Sequence, residues 1–219
     1  TNQMALLTEK LGLNLHDLIT KVNLGYDRNK IPYPSPGVGG PCLSKDPYIL
    51  GCNFAEFGLN APVTKAARLV NEAAPSVIFD KCKELLLSVK IDIQNSKVFI
   101  IGFAFKGEPE TSDLRESTTI WLLNYMKKQG IKDIFGYDPV IKDADLAELD
   151  ITPCEIEKGF LNADLVIFMN NHKSYTNLNI NSLVETMNKP GVLYDGWNIF
   201  QPQDMENCHG ILYTAIGSG

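Results

Sequence analysis

The sequence predicts an α/β chain in two parts, helical over residues 1–92 and built on a parallel sheet over residues 93–219. Two observations carry this. In the first part apolar residues recur at spacings of about three and four, the period of one helix face. From Lys97 onward short β-branched runs alternate with helical stretches, and that alternation sets parallel strands side by side with crossover helices between them.

The elements follow in order. Met4, Leu7 and Leu11 mark a helix that Gly12 stops. Asn14 then caps a second helix on Leu15, Leu18, Ile19 and Val22, its side-chain oxygen accepting from a first-turn N–H. Gly25 ends it, and the stretch from Tyr26 to Pro41, with four of the twelve prolines and three of the 17 glycines, is a loop. A third helix is expected from Ser44 to Phe57, with Gly58 as its stop, and a long fourth from Pro62 to near Ser88, kinked at Pro75. The boundary between the parts falls at Ile91–Ser96. Strands are expected at Val98–Ile101, Ile134–Tyr137, Leu165–Met169, Val192–Tyr194 and Leu212–Ala215. Helices come between them at Ser117–Lys128, Ala144–Leu149, Glu155–Leu161 and Asn181–Met187. Thr1 falls inside a helical pattern without an initiator Met or a cap, so a fragment of a larger protein is expected.

Composition removes whole classes of function. With 44% hydrophobic and 21% charged residues the chain folds, and 20 basic against 26 acidic side chains give a net charge of -6 that disfavours nucleic acid as a partner. No apolar run reaches the roughly 20 residues that cross a bilayer, and no signal pattern opens the chain, so no membrane partner and a cytoplasmic location are expected. The five cysteines, at 42, 52, 82, 154 and 208, form no C-x-x-C pair and read as free thiols; the three histidines are scattered, and no metal is expected.

Chemistry concentrates in Pro34-Ser35-Pro36-Gly37-Val38-Gly39-Gly40-Pro41-Cys42-Leu43-Ser44-Lys45-Asp46. Glycines without Cβ let backbone N–H groups approach a ligand, and a helix N-terminus favours a thiolate over a thiol. Cys42 at the mouth of the third helix is therefore a candidate nucleophile. Asp46, one helical turn on, can hold or deprotonate a water, and Lys45 adds a cation. Against this stand the ordinary roles of each type: a free cysteine as a small buried apolar group, an aspartate favouring a helix dipole, a solvated lysine. The glycine run is no dinucleotide fingerprint, since no strand leads into it and the G-x-G-x-x-G spacing is absent.

The segment Pro36-Gly37-Val38-Gly39-Gly40-Pro41-Cys42-Leu43-Ser44-Lys45-Asp46-Pro47-Tyr48 resembles the active-site segment of the UDP-glucose/GDP-mannose dehydrogenase family, in which the cysteine is the nucleophile. Ile101-Gly102-Phe103-Ala104-Phe105-Lys106, Asp113-Leu114-Arg115-Glu116-Ser117 and Gly136-Tyr137-Asp138-Pro139 resemble the start of that family's C-terminal UDP-binding domain, in the same order. Ala163-Asp164-Leu165-Val166-Ile167 and Tyr194-Asp195-Gly196 extend the likeness over essentially the whole chain.

The resemblance implies a central helical region for dimerisation over 1–92 and a Rossmann-like, doubly wound UDP-sugar-binding domain over 93–219. It implies a homodimer, and a role in polysaccharide biosynthesis. It also implies an N-terminal NAD domain, together with a catalytic lysine and asparagine, which this chain lacks and without which it should not turn over. The implied reaction is the NAD-dependent oxidation of a UDP-sugar C6 alcohol to the acid, with the aldehyde captured by Cys42 as a thiohemiacetal and oxidised to a thioester. By the same likeness Asp46 assists proton transfer or hydrolysis, Ser35, Gly39, Phe105 and Lys106 line the sugar nucleotide, and Lys45 and Arg115 reach NAD. Arg115 could instead pair locally with Asp113 or Glu116. Asp138 stands where dinucleotide folds read a ribose, yet Asp-Pro is also a common strand exit, and it is left outside the site. His172 at a strand end is expected to be a surface histidine.

Two departures stand out. The stretch from Gly107 to Leu114 is longer than the family's usual spacing, and Trp197 replaces an arginine the family often has after Asp-Gly. Trp197 would stack on a ring or pack in the core. Asp46-Pro47-Tyr48 leans toward enzymes of UDP-N-acetylhexosamines and Lys45 toward those of UDP-glucose. The alternative function is a noncatalytic nucleotide-binding or dimerisation module that retains the motifs.

Overall fold

The structure, a computed structural model, describes residues 1–205 and 208–219, the Pro202 side chain excepted. Helices α1 (Asn2–Lys10) and α2 (Leu15–Asn23) form where the apolar spacing puts them, and Asn14 caps α2 by accepting the Asp17 N–H at 3.1 Å. Gly12 turns the chain between them at φ +66°, a conformation open to a residue without Cβ. Helices α3 (Asp46–Glu56) and α4 (Pro62–Ser88) each carry proline in the first turn, where its missing N–H is no loss. α3 begins at Asp46 rather than Ser44, because turns occupy Pro41–Lys45 and the Cys42 carbonyl takes the N–H groups of Lys45 and Asp46. α4 runs on through Pro75 as one helix.

The second part contains β1 (Val98–Ile101), α5 (Thr118–Lys128), β2 (Ile134–Tyr137), α6 (Asp143–Ala147), β3 (Thr152–Pro153), α7 (Ile156–Phe160), β4 (Leu165–Phe168), α8 (Ile180–Val184), β5 (Gly191–Asp195) and β6 (Ile211–Ala215). The expected strands agree within one residue at their ends. β3 was not expected, being two residues long with a proline, and it sits where proline is tolerated, at the sheet edge. All pairings are parallel in the order β3-β2-β1-β4-β5-β6, the doubly wound arrangement in which the strand order reverses between β1 and β4. No helix among the described residues is long and apolar enough to cross a membrane.

β1 and β4 are fully buried on both faces, as apolar central strands of a covered parallel sheet must be. One face packs Val98, Ile100, Leu165 and Ile167 against α5 and against Ile78, Phe79, Cys82 and Leu86 of α4. The other packs Phe99, Val166 and Phe168 against Phe160 of α7 and Val184 of α8. Burying each large side chain contributes roughly 1.5–3 kcal/mol. The second half of α4 is thus part of the sheet's core, and its first half projects from it.

At the switch point Asp138, buried at the end of β2, closes the crevice. One carboxylate oxygen accepts the N–H groups of Phe103 (2.7 Å) and Ala104 (2.9 Å), and the other those of Val140 (3.0 Å) and Ile141 (3.3 Å). Asn170 adds a side-chain donor at 3.3 Å. The carboxylate therefore holds the exit of β1 and has no free face for a ribose. Replacing it strands the buried N–H groups of Phe103, Ala104 and Ile141, so Asp138→Ala is expected to cost on the order of 3 kcal/mol in urea unfolding; a loss below about 0.5 kcal/mol would show that the network carries no load.

Candidate active site

The glycine loop is wedged between α4 and the carboxyl edge of the sheet. Gly39 in the loop and Gly196 opposite it stand where another atom leaves no room for a side chain. A Cβ on Gly39 would lie 2.4 Å from the Glu116 carbonyl oxygen, and one on Gly196, after β5, would lie 2.4 Å from Pro36. Gly40 donates its N–H to the Glu116 carbonyl at 3.2 Å and packs beside the Phe105 ring, whose nearest atom would lie 3.1 Å from a Cβ there. On the other side Val38 exchanges two hydrogen bonds with the Asn71 side chain: its N–H donates to Oδ1 at 2.7 Å, and Nδ2 donates to its carbonyl at 2.9 Å.

Cys42 follows on an exposed turn, one helical turn before Asp46. Its charged neighbours are Lys45 and Arg115. Lys45 is ion-paired with Asp46, and its pKa is raised first by that hydrogen bond and last by the Cys42 charge. Arg115 is raised first by its hydrogen bond to Asp113 and last, again, by Cys42. The thiol is thus within electrostatic reach of both cations. Three of the other four thiols differ from it in exposure. Cys82, Cys154 and Cys208 are buried or half-buried, and desolvation pushes each of them up, while Cys52 on α3 is exposed.

Most residues singled out in the sequence come together here. Gly39, Cys42, Lys45 and Asp46 share the loop and its turn; Phe105 lies under Gly40 with the Lys106 ammonium 5.5 Å from its ring centre. Arg115 forms the local pair considered from its sequence, Asp113 accepting Nη2 at 2.7 Å and Nε at 3.0 Å, yet the guanidinium stays exposed. Ser35 is placed apart. It is buried on the α1 side, lining a cavity of about 340 Å³ with Asn2 and Val70, and the Asn2 side chain takes up both its backbone groups at 3.0 and 2.9 Å. The expectation of a surface His172 is overturned: it is buried, bonded to Glu110 at 2.9 Å and Ser174 at 2.8 Å, because the longer stretch after Lys106 folds over it. Trp197 is half-buried and donates its indole N–H to the Met169 carbonyl at 3.0 Å.

Sequence reasoning missed Asn71, Asn2 and Glu116. Asn71 had one available signal, since it continues the buried stripe of α4 that includes Arg68, Pro75, Ile78 and Cys82. Arg68, buried and paired with Glu72 at 3.0 Å, was missed too; Glu72 also accepts the Tyr48 hydroxyl at 2.6 Å, tying α3 to α4 behind the loop.

Comparison with known proteins matches residues 1–73 to the UDP-glucose/GDP-mannose dehydrogenase family, central domain, and residues 99–202 to the same family's UDP binding domain. The chain belongs to this family. It is 30% identical over 219 residues to the UDP-N-acetyl-D-mannosamine dehydrogenase of Pyrococcus horikoshii, covering 100% of this chain and 47% of that protein. It is 26% identical over 219 residues to the UDP-glucose 6-dehydrogenase of Rhizobium meliloti, covering 99% of this chain and 48% of that protein. The solved structure of the UDP-D-ManNAc dehydrogenase from Pyrococcus horikoshii superposes with a TM-score of 0.83 at 28% identity, over 100% of this chain and 47% of that one. The chain spans about half the length of the curated relatives it matches.

The Asp113–Arg115 pair gives the site a measurable signature. Its hydrogen bonds hold the Asp113 carboxyl below its ordinary 3.8. A depressed folded value means that the pair stabilises the fold above pH 3.8 and releases as the pH falls through the lower folded value. A carboxyl-carbon NMR titration is expected to place Asp113 below 3.8 and to return it toward 3.8 in Arg115→Ala; an unchanged midpoint in the variant would remove the pair.

Proposed function

We propose that this chain is the central and UDP-binding portion of an NAD-dependent nucleotide-sugar 6-dehydrogenase in which Cys42 is the nucleophile. The observation that carries the proposal is an exposed thiol on a seated glycine loop, flanked by Lys45, Asp46 and Arg115 and backed by Phe105 and Lys106. The names of the relatives point to a UDP-linked sugar, with UDP-N-acetylmannosamine the first substrate to try and UDP-glucose the second.

The residues present suit a dinucleotide only in part. Asp138 is consumed by backbone N–H groups and is not itself free to accept a ribose hydroxyl. Lys45 and Arg115, exposed beside Cys42, are the groups that would meet NAD phosphates or ribose. NAD, when bound, accepts a hydride in each of two oxidations.

The chain's own residues handle the carbon between those oxidations. An aldehyde has no alkoxide from which to expel hydride. The Cys42 thiolate adds to the aldehyde carbon, the carbonyl oxygen takes a proton, and a thiohemiacetal results. Loss of hydride from that carbon and a proton from its hydroxyl leaves a thioester. Water, its proton accepted by Asp46, cleaves the C–S bond to give the carboxylate and restore the thiol. Gly39, Phe105 and Lys106 are assigned to the substrate side. Ser35 is assigned to holding the loop, its backbone being engaged by Asn2. A homodimer is proposed through α1, α2 and α4, whose Met4, Leu7, Val22 and Leu69 are exposed apolar residues.

In the intact natural polypeptide that carries this chain, Cys42→Ser is expected to cut uronate formation from UDP-N-acetylmannosamine or UDP-glucose by at least about 100-fold, the scale of losing a covalent nucleophile. Unimpaired conversion to the acid would contradict the mechanism. A variant and wild type that both bind UDP and reduce no NAD would favour the noncatalytic module.

A further inference from the structure

The segment between α2 and α3 lies in no helix or strand, so its backbone polar groups need partners from elsewhere. Three asparagine side chains supply them in one pattern. Asn23 takes the N–H of Ile31 at 2.8 Å and donates to its carbonyl at 2.9 Å. Asn2 does the same with Ser35 at 3.0 and 2.9 Å, and Asn71 with Val38 at 2.7 and 2.9 Å. Each amide stands in for the neighbouring strand that the segment lacks, exchanging both bonds with one residue.

Asn71 is the clamp nearest the thiol, and α4 is shaped for it. Pro75 has no N–H to offer the Asn71 carbonyl one turn back, and Gly37 sits against that same oxygen, where a Cβ would lie 3.4 Å away. Beyond Val38 the next fixed point is Gly40 on the Glu116 carbonyl. The path to Cys42 is therefore gripped by α4 on one side and by the turn before α5 on the other. Val38 is 48% exposed, and Asn71 is itself half-buried. Water can therefore replace the lost bonds, so removing the amide should disturb the loop's geometry more than the stability of the fold.

We propose that Asn71 is a positioning residue for Cys42, holding the glycine loop so that the thiol meets the aldehyde carbon. The consequence for turnover rests on the dehydrogenase reading above; the effect on the thiol does not.

The test compares wild type with Asn71→Ala and with the near-isosteric Asn71→Asp, which keeps an acceptor for the Val38 N–H and loses the donor to its carbonyl. In this 219-residue chain, iodoacetamide labelling is followed by mass spectrometry with the exposed Cys52 as internal reference. The Cys42-to-Cys52 rate ratio is expected to change about tenfold in Asn71→Ala, the factor one net hydrogen bond controls, and less in Asn71→Asp, with the thermal midpoint little moved. In the intact polypeptide, aldehyde trapped by semicarbazide should rise relative to acid, since slower capture by the thiolate lets the aldehyde escape. A ratio equal to wild type in both variants overturns the proposal. If Asn71→Ala fails to fold, the ratio in Asn71→Asp decides. An altered ratio in variants of a protein that oxidises no nucleotide sugar would leave the clamp standing and remove the dehydrogenase reading.

Discussion

Backbone amides that belong to no helix or strand must still be paired, and this requirement shapes the site. The glycine loop meets it with side-chain amides from α1, α2 and α4 and with the carbonyl of Glu116. A chain held at Ile31, Ser35, Val38 and Gly40 has little freedom left, and Cys42 emerges from it at a defined place. The glycines are part of the same constraint. At Gly39 and Gly196 the space a Cβ would need is occupied by the Glu116 carbonyl and by Pro36, so loop and sheet approach at backbone distance.

The long helix α4 links the site to the fold. Its second half is buried against the sheet through Ile78, Phe79, Cys82 and Leu86, and its first half presents Arg68, Asn71 and Glu72 to the loop and to α3. At the sheet's switch point, where open α/β sheets receive ligands, Asp138 and Asn170 have closed the crevice on Phe103 and Ala104. What remains open is the surface above: the Cys42 turn, Lys45, Lys106 and Arg115. The cations gather there although the chain as a whole is acidic. Local arrangement thus gives an acidic chain a cationic surface beside Cys42.

Much of this was legible in the sequence, and the limits have physical causes. Strand positions were readable because β1 and β4 are buried on both faces and so are continuously apolar. Asn14 was readable because a cap and its partner are three residues apart. The Cys42 loop stood out by composition, and its family likeness named the chemistry. The partners of these clamps could not be read, because Asn2 and Asn71 each lie 33 residues from the backbone they hold. The start of α3 was misplaced because the turns over Pro41–Lys45 imitate a first helical turn, and β3 escaped notice as two residues containing a proline. His172 was misjudged because the cover over it comes from Glu110, 62 residues away. Ser35 shares the motif with Cys42 yet faces α1, a separation no spacing along the chain conveys.

The rigidity of the seated loop is the claim on which the rest turns, and amide hydrogen exchange resolved by residue reads it directly. Val38, Ser35 and Ile31, though outside every helix and strand, are expected to exchange at least about 100-fold more slowly than in an unstructured peptide, as amides do that need a local opening first. Exchange of these three at free-peptide rates, with β1 and β4 still protected, would mean that the asparagines do not hold the loop and that Cys42 has no fixed place to act from.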